Sequence, residues 1–204
     1  MPVSVPRGRH APPLEVRLGV QRARLFDAAA EVFCRMGYAD ATASAIAAEA
    51  GMSKATFYTH FANKEACILE LFDEAVTEVA RATGTAAEAL RAASYEERVH
   101  AGMGALVAVC AEHPRTTQTL LVEIIGAGPR AVERRDAMLD ALAAWLHRDN
   151  AKAADREGAP RFPSQDDALA VVAGVAELLS RHVRGTGPDD LVGVAARLLL
   201  GALR

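Results

Sequence analysis

Lys54, Thr56, Tyr58 and His60 fall in one short run and offer an ammonium, a hydroxyl, a phenol and an imidazole. An ammonium neutralises phosphate, while the other groups donate or accept hydrogen bonds of the kind that base edges present. Ala55 and Thr59 are the only smaller groups between them, and Phe57 and Phe61, four residues apart, share the opposite, apolar side of a helix. The spacing predicts one packed face and one face suited to a polar partner.

The flanking residues predict the elements that hold this face. Ile46, Ala47 and Ala50 form the stripe of a short preceding helix, Gly51 supplies the left-handed residue that ends it, and Ser53 is a strong N-cap for the next. Two short helices hinged at a glycine are the pattern of a helix-turn-helix, whose second helix enters the major groove. A helical hairpin with a merely solvated polar face has the same local pattern. The surroundings separate the two. Leu25, Phe26, Ala29, Val32, Phe33 and Met36 give Arg22 to Met36 a helical stripe that Gly37 stops. Thr42 then caps the first helix of the pair. Asn63 caps a long helix with Ile68, Leu71, Phe72, Ala75, Val76 and Val79 inside.

Phe33, Gly37-Tyr38, Thr42, Ile46-Ala47, Ala50-Gly51, Ser53, Thr56-Phe57-Tyr58, Phe61 and Asn63-Lys64-Glu65 stand at the spacing of one family. Over residues 18 to 78 the chain closely resembles the tetracycline-repressor (TetR) family of bacterial transcriptional regulators. The resemblance implies an all-α, nine-helix, two-domain architecture that binds DNA and is not an enzyme. It divides the chain into a basic arm at 1–16, a DNA-binding head at 17–64 with its motif at 42–61, and a ligand-binding and dimerisation body at 65–204. The implied DNA-contacting set is Thr42, Ser44, Ser53, Lys54, Ala55, Thr56, Tyr58, Thr59, His60 and Lys64, with Thr42 and Lys64 on phosphates. Ala43-Ser44-Ala45 departs from the family, which carries a bulky apolar residue and a charged or polar pair there. The first helix of the pair is therefore the weaker reader.

The net charge of −3 and pI near 6.1 run against the basic footprint usual for nucleic-acid binders. Its distribution does not. Residues 1–64 hold eight Lys and Arg against five Asp and Glu, and residues 65–204 hold fifteen against twenty-one. A basic head can approach phosphates while an acidic body limits nonspecific adhesion. Cys34, Cys67 and Cys110 are odd in number and widely spaced within apolar patterns, which predicts buried thiols rather than disulfides or a metal site. The Pro-rich N-terminus lacks the apolar core of a signal peptide, and the longest apolar run, Ala101 to Ala111, is far shorter than the ~20 residues of a membrane span. A cytoplasmic protein without cofactor is expected.

Beyond the fourth helix the punctuation predicts five more. Gly84 ends or interrupts the fourth. Ser94-Tyr95-Glu96-Glu97 is a capping box for a helix to about Glu112. Pro114 opens the next, which runs to Gly126, and Pro129 opens a long one to about residue 156. Ser164 precedes a helix to about Arg184, and Pro188 starts the last, ending near Leu203. These last two carry Leu169, Val172, Ala176, Leu179, Val183, Leu191, Val194 and Leu198, which the resemblance assigns to a homodimer interface. A two-fold dimer matches a pseudopalindromic double-stranded operator.

Helix placement makes Met103, Val107, Leu121, Ile125, Met138 and Trp145 the candidate lining of a cavity for a largely apolar small-molecule effector that releases a repressor from DNA. Enzyme signatures are weak. Glu97-Arg98-Val99-His100 has the spacing of a carboxylate di-iron helix, but the sequence holds no second copy. A DNA-bound interaction module without a ligand is the alternative reading, and a helical enzyme a remote third.

Overall fold

The computed structural model describes residues 13–90 and 92–203. Among them the α-helices are α1 (Leu14–Asp40), α2 (Ala43–Glu49), α3 (Lys54–His60), α4 (Lys64–Ala89), α5 (Tyr95–Glu112), α6 (Pro114–Leu121), α7 (Pro129–Glu157), α8 (Gln165–Val183) and α9 (Leu191–Gly201). A 3-10 turn at Glu123–Ala127 joins α6 to α7. The all-α, nine-helix expectation holds for the described residues.

The starts are set by side-chain caps. Thr42, Ser53, Asn63, Ser94 and Ser164 each accept from the backbone N–H three residues on, and Ser94 with Glu97 completes the capping box. Gly51 (φ +65°) separates α2 from α3, and Gly37 (φ +77°) breaks α1 one turn before its end.

Several sequence-based boundaries are corrected. The helix expected from Arg22 begins at Leu14, so residues 14–16 of the expected arm are helical; residues 1–12 lie outside the described residues. Gly84 does not end α4, because one glycine costs a helix interior only about 1 kcal/mol and nothing crowds this one. α6 stops at Leu121 and passes into the 3-10 turn rather than running to Gly126. The last helix begins at Leu191, capped by Asp190 Oδ1 on the Gly193 N–H (2.9 Å), with Pro188 still in the loop.

Two apolar cores result. The first centres on the head, where Leu25, Phe26, Phe33, Ile46, Phe57, Phe61, Ile68 and Phe72 are buried, and it recruits Ile124, Ala127 and Ala131 from the 3-10 turn and the start of α7. It therefore crosses the boundary that residues 64 and 65 were expected to mark. The second joins Tyr95 and Val99 of α5 and Ala143 of α7 to Val171, Val175, Leu179, Leu191 and Leu199 of α8 and α9. Met36, expected inside, is 42% exposed. Tyr38, just after Gly37, stacks on Phe33 at 5.6 Å and packs against the first core.

Candidate nucleic-acid interface

α3 presents Lys54, Ala55, Tyr58 and Thr59 to solvent, whereas Thr56 and His60 are half-buried on its flank. The expected grouping of Lys54, Thr56, Tyr58 and His60 on one face is corrected. At 100° per residue, positions two apart diverge by about 200°, so Phe57 and Phe61 face opposite Ala55 and Thr59, with Lys54 and Tyr58 beside them. Phe57 and Phe61 lie 5.4 Å apart, and Phe61 lies 5.3 Å from Phe26 on α1. This aromatic contact fixes the rotation of α3. Tyr58 stands edge-on to Phe57 and is 50% exposed, and the Lys54 ammonium sits 5.9 Å from its ring.

The hydroxyls are partly committed. Ser53 Oγ accepts from the Thr56 N–H (3.1 Å) and lies 2.9 Å from Thr56 Oγ1, while Thr59 Oγ1 donates to the Ala55 carbonyl (3.1 Å). Thr42 Oγ1 accepts from the Ala45 N–H (3.1 Å), which leaves its own proton available to a phosphate. Thr42 and Ser44 are exposed.

Two residues of the expected contact set are held by the fold. His60 Nε2 donates to Gln21 Oε1 (3.2 Å), tying the end of α3 to α1, and burial, with the Arg22 guanidinium second, lowers its pKa. Lys64 Nζ donates to the carbonyls of Tyr38 (2.7 Å), Ala39 (3.0 Å) and Ala41 (3.0 Å). An ammonium has three protons, so none is left for a phosphate, and Lys64 is corrected to an internal clamp on the end of α1.

Sequence reasoning missed the residues that brace the reading helices. Arg24 Nη2 donates to the Ala50 carbonyl (2.7 Å) at the hinge, Arg35 pairs with Glu49 (2.9 Å), and Arg22 lies over Phe26 and Phe61 and pairs with Glu70 (2.8 Å). Their partners are too distant in the chain for any local pattern to show.

In the body, the candidate effector liners do not converge. Met103, Val107 and Leu121 pack against the second core and Met138 against the first, whereas Ile125 (56%) and Trp145 (49%) are exposed. α5 nevertheless stays half-exposed at every residue from Ala101 to Val107, with open space beside Gly102 and Gly104. The candidate dimer residues divide as well. Leu179 and Leu191 are buried within the chain's own core, which removes them from a surface; Leu169, Val172, Ala176, Val183 and Val194 are half-buried; Leu198 is exposed. Among the cysteines only Cys67 is fully buried, its thiol pushed up to about 12 by burial. No group of metal-ligating side chains occurs among the described residues, and no helix there is long and apolar enough to cross a membrane.

Residues 25–71 match the family described as bacterial regulatory proteins, tetR family. The chain shares its fold with the fatty acid degradation regulator FadR from Bacillus halodurans (21% identity, 90% of this chain and 96% of that one, TM-score 0.75). It is also similar to FadR from Bacillus subtilis, solved with stearoyl-CoA (19% identity, 89% and 99% covered, TM-score 0.71). The TetR-family regulator PfmR from Thermus thermophilus is 25% identical, with 89% and 99% covered and a TM-score of 0.62. No curated protein matches the chain by sequence. A buried aromatic anchor beneath an exposed, polar second helix, in a fold shared with these regulators, defines a helix-turn-helix DNA-binding transcriptional regulator. The match over residues 25–71 assigns the helix-turn-helix head to the tetR family of bacterial regulatory proteins.

Proposed function

We propose that the chain is a homodimeric repressor that binds a pseudopalindromic operator and is released by a small, largely apolar effector. The observation that carries the DNA half of this reading is the exposed quartet Lys54, Ala55, Tyr58 and Thr59 on a helix whose reverse side is locked by Phe57 and Phe61. Lys54 and Tyr58 supply charge and hydrogen bonding, and Ala55 with the Thr59 methyl suits the thymine methyl group. Thr42 and Ser44 approach the phosphates from α2. The head is residues 17–64 in the chain, with its core completed from α4 and the 3-10 turn.

The dimer surface is the outer side of α8 and α9. Ala170 and Ala173 of α8 and Leu198 and Gly201 of α9 are exposed there, and a Cβ on Gly174 would come within 2.9 Å of Leu198 Cδ2. Small residues there allow two copies to approach closely.

A slender apolar effector is supported by the half-exposed strip along α5 and by the stearoyl-CoA bound to the Bacillus subtilis neighbour. A DNA-bound interaction module without effector is the second reading, favoured by the exposure of Trp145 and Ile125. The deciding experiment maps the protein's binding sites across its own genome and measures binding to the promoter fragments found, with and without acyl-CoA of graded length. Saturable, sequence-selective binding weakened by one chain length supports the proposal. Absence of selective binding at moderate salt overturns it.

A further inference from the structure

Tyr38 is held at its two backbone groups by opposite charges from different parts of the chain. The break at Gly37 turns the Tyr38 N–H out of the helical direction, and Glu123 Oε2, in the 3-10 turn between α6 and α7, accepts it at 3.0 Å. The Tyr38 carbonyl accepts from Lys64, the first residue of α4, whose ammonium also lies 4.4 Å from the Tyr38 ring. A few residues beyond, the chain enters Thr42, the N-cap of α2. The entry to the helix-turn-helix is thus gripped between a turn of the body and the helix that joins head to body.

The turn that carries Glu123 is itself anchored. Ile124 beside it is fully buried in the head core, Thr119 Oγ1 donates to the Ala30 carbonyl (3.2 Å), and Arg134 of α7 makes a two-pronged pair with Asp73 of α4 (2.7 and 2.6 Å). The backbone that carries Glu123 is therefore anchored to the head, and its carboxylate reaches Tyr38 from a fixed base.

We infer that Glu123 is a positioning residue for DNA recognition: by holding the Tyr38 amide it sets the entry of the chain into α2, and displacement of the α6–α7 turn reaches α2 and α3 through it. The inference rests on the head being the DNA-binding element. A hydrogen bond to an ionised acceptor is among the stronger kinds, and its loss leaves the Tyr38 N–H without its partner and the segment held from the Lys64 side alone.

The test combines hydrogen exchange on the full chain with binding to a promoter fragment that the wild-type protein binds. Glu123→Ala is expected to speed exchange across residues 38–50 by about tenfold, leave residues 66–72 as protected as in the wild type, and weaken promoter binding by up to about tenfold. The salt dependence of binding should stay unchanged, because Glu123 touches no phosphate. Glu123→Gln, which keeps an acceptor oxygen, should remain within about threefold of wild type in exchange and binding. Unchanged protection at 38–50, equal loss at 66–72, or a changed salt slope would each overturn the assignment. A wild-type protein that binds no promoter DNA would instead overturn the DNA reading and with it the consequence for recognition, while the exchange result still decides whether Glu123 holds the entry.

Discussion

Lys54 and Tyr58 stand together at the exposed side of α3, and phosphate and base contacts made from there have different signatures. Lys54→Ala is expected to weaken binding similarly for all sequences and to reduce the salt slope by about 1, read from affinities over a salt series. Tyr58→Ala should cost about 1–3 kcal/mol and relax selectivity at particular operator positions, as competition with base-substituted fragments would reveal. A second pair of residues responds to pH and reagent rather than to DNA. His60 has its folded pKa lowered below 6.5, so the unfolded chain binds its proton more readily. The sign follows: its contribution is complete above about pH 6.5 and is lost as pH falls towards the lowered value. His60→Ala should flatten the fall in melting temperature through that acidic window. Cys67, with its thiol pushed up to about 12, should resist alkylation at about pH 8 until the chain is unfolded, as mass spectrometry of labelled peptides would establish.

Among the helical elements, two glycines act in opposite ways. Gly51 sits at φ +65° with Arg24 Nη2 at 3.4 Å from a Cβ placed there, so Gly51→Ala strains the hinge and is expected to destabilise by about 1 kcal/mol or more. Gly84 lies inside continuous α4 with open space beside it, so Gly84→Ala should stabilise by up to about 1 kcal/mol in a denaturant titration. The caps at Thr42, Ser53, Asn63, Ser94 and Ser164 were legible because a cap is decided within three residues. Gly84 misled for the complementary reason: a glycine breaks a helix only where the chain has a better alternative, and the packing of α4 against α5 is not written around position 84. Pro188 likewise can begin a helix, but Asp190 supplied the cap that did.

At the scale of the whole molecule, the α8–α9 surface offers Leu198 outward while Leu179 and Leu191 are already used inside. If α8 and α9 form the proposed dimer surface, Leu198→Glu shifts the protein to monomer in sedimentation across a concentration series and weakens operator binding by removing the second head. Leu179→Ala should instead lower stability by about 2–5 kcal/mol in a denaturant titration, through the cavity it leaves in the subunit core. Chain spacing alone determined that the chain is helical, the caps at Thr42, Ser53, Asn63, Ser94 and Ser164 and the aromatic anchor of α3, because each depends on residues within a few positions of one another. The tertiary structure decided which polar groups remain free. Lys64 and His60 look like contact residues until carbonyls and an amide from 23 to 39 positions away occupy them. Glu123 has no local signature, since its partner amide lies 85 positions away. Hydrogen-bonding capacity is a property of residue type, but its availability is set by neighbours that only folding brings near.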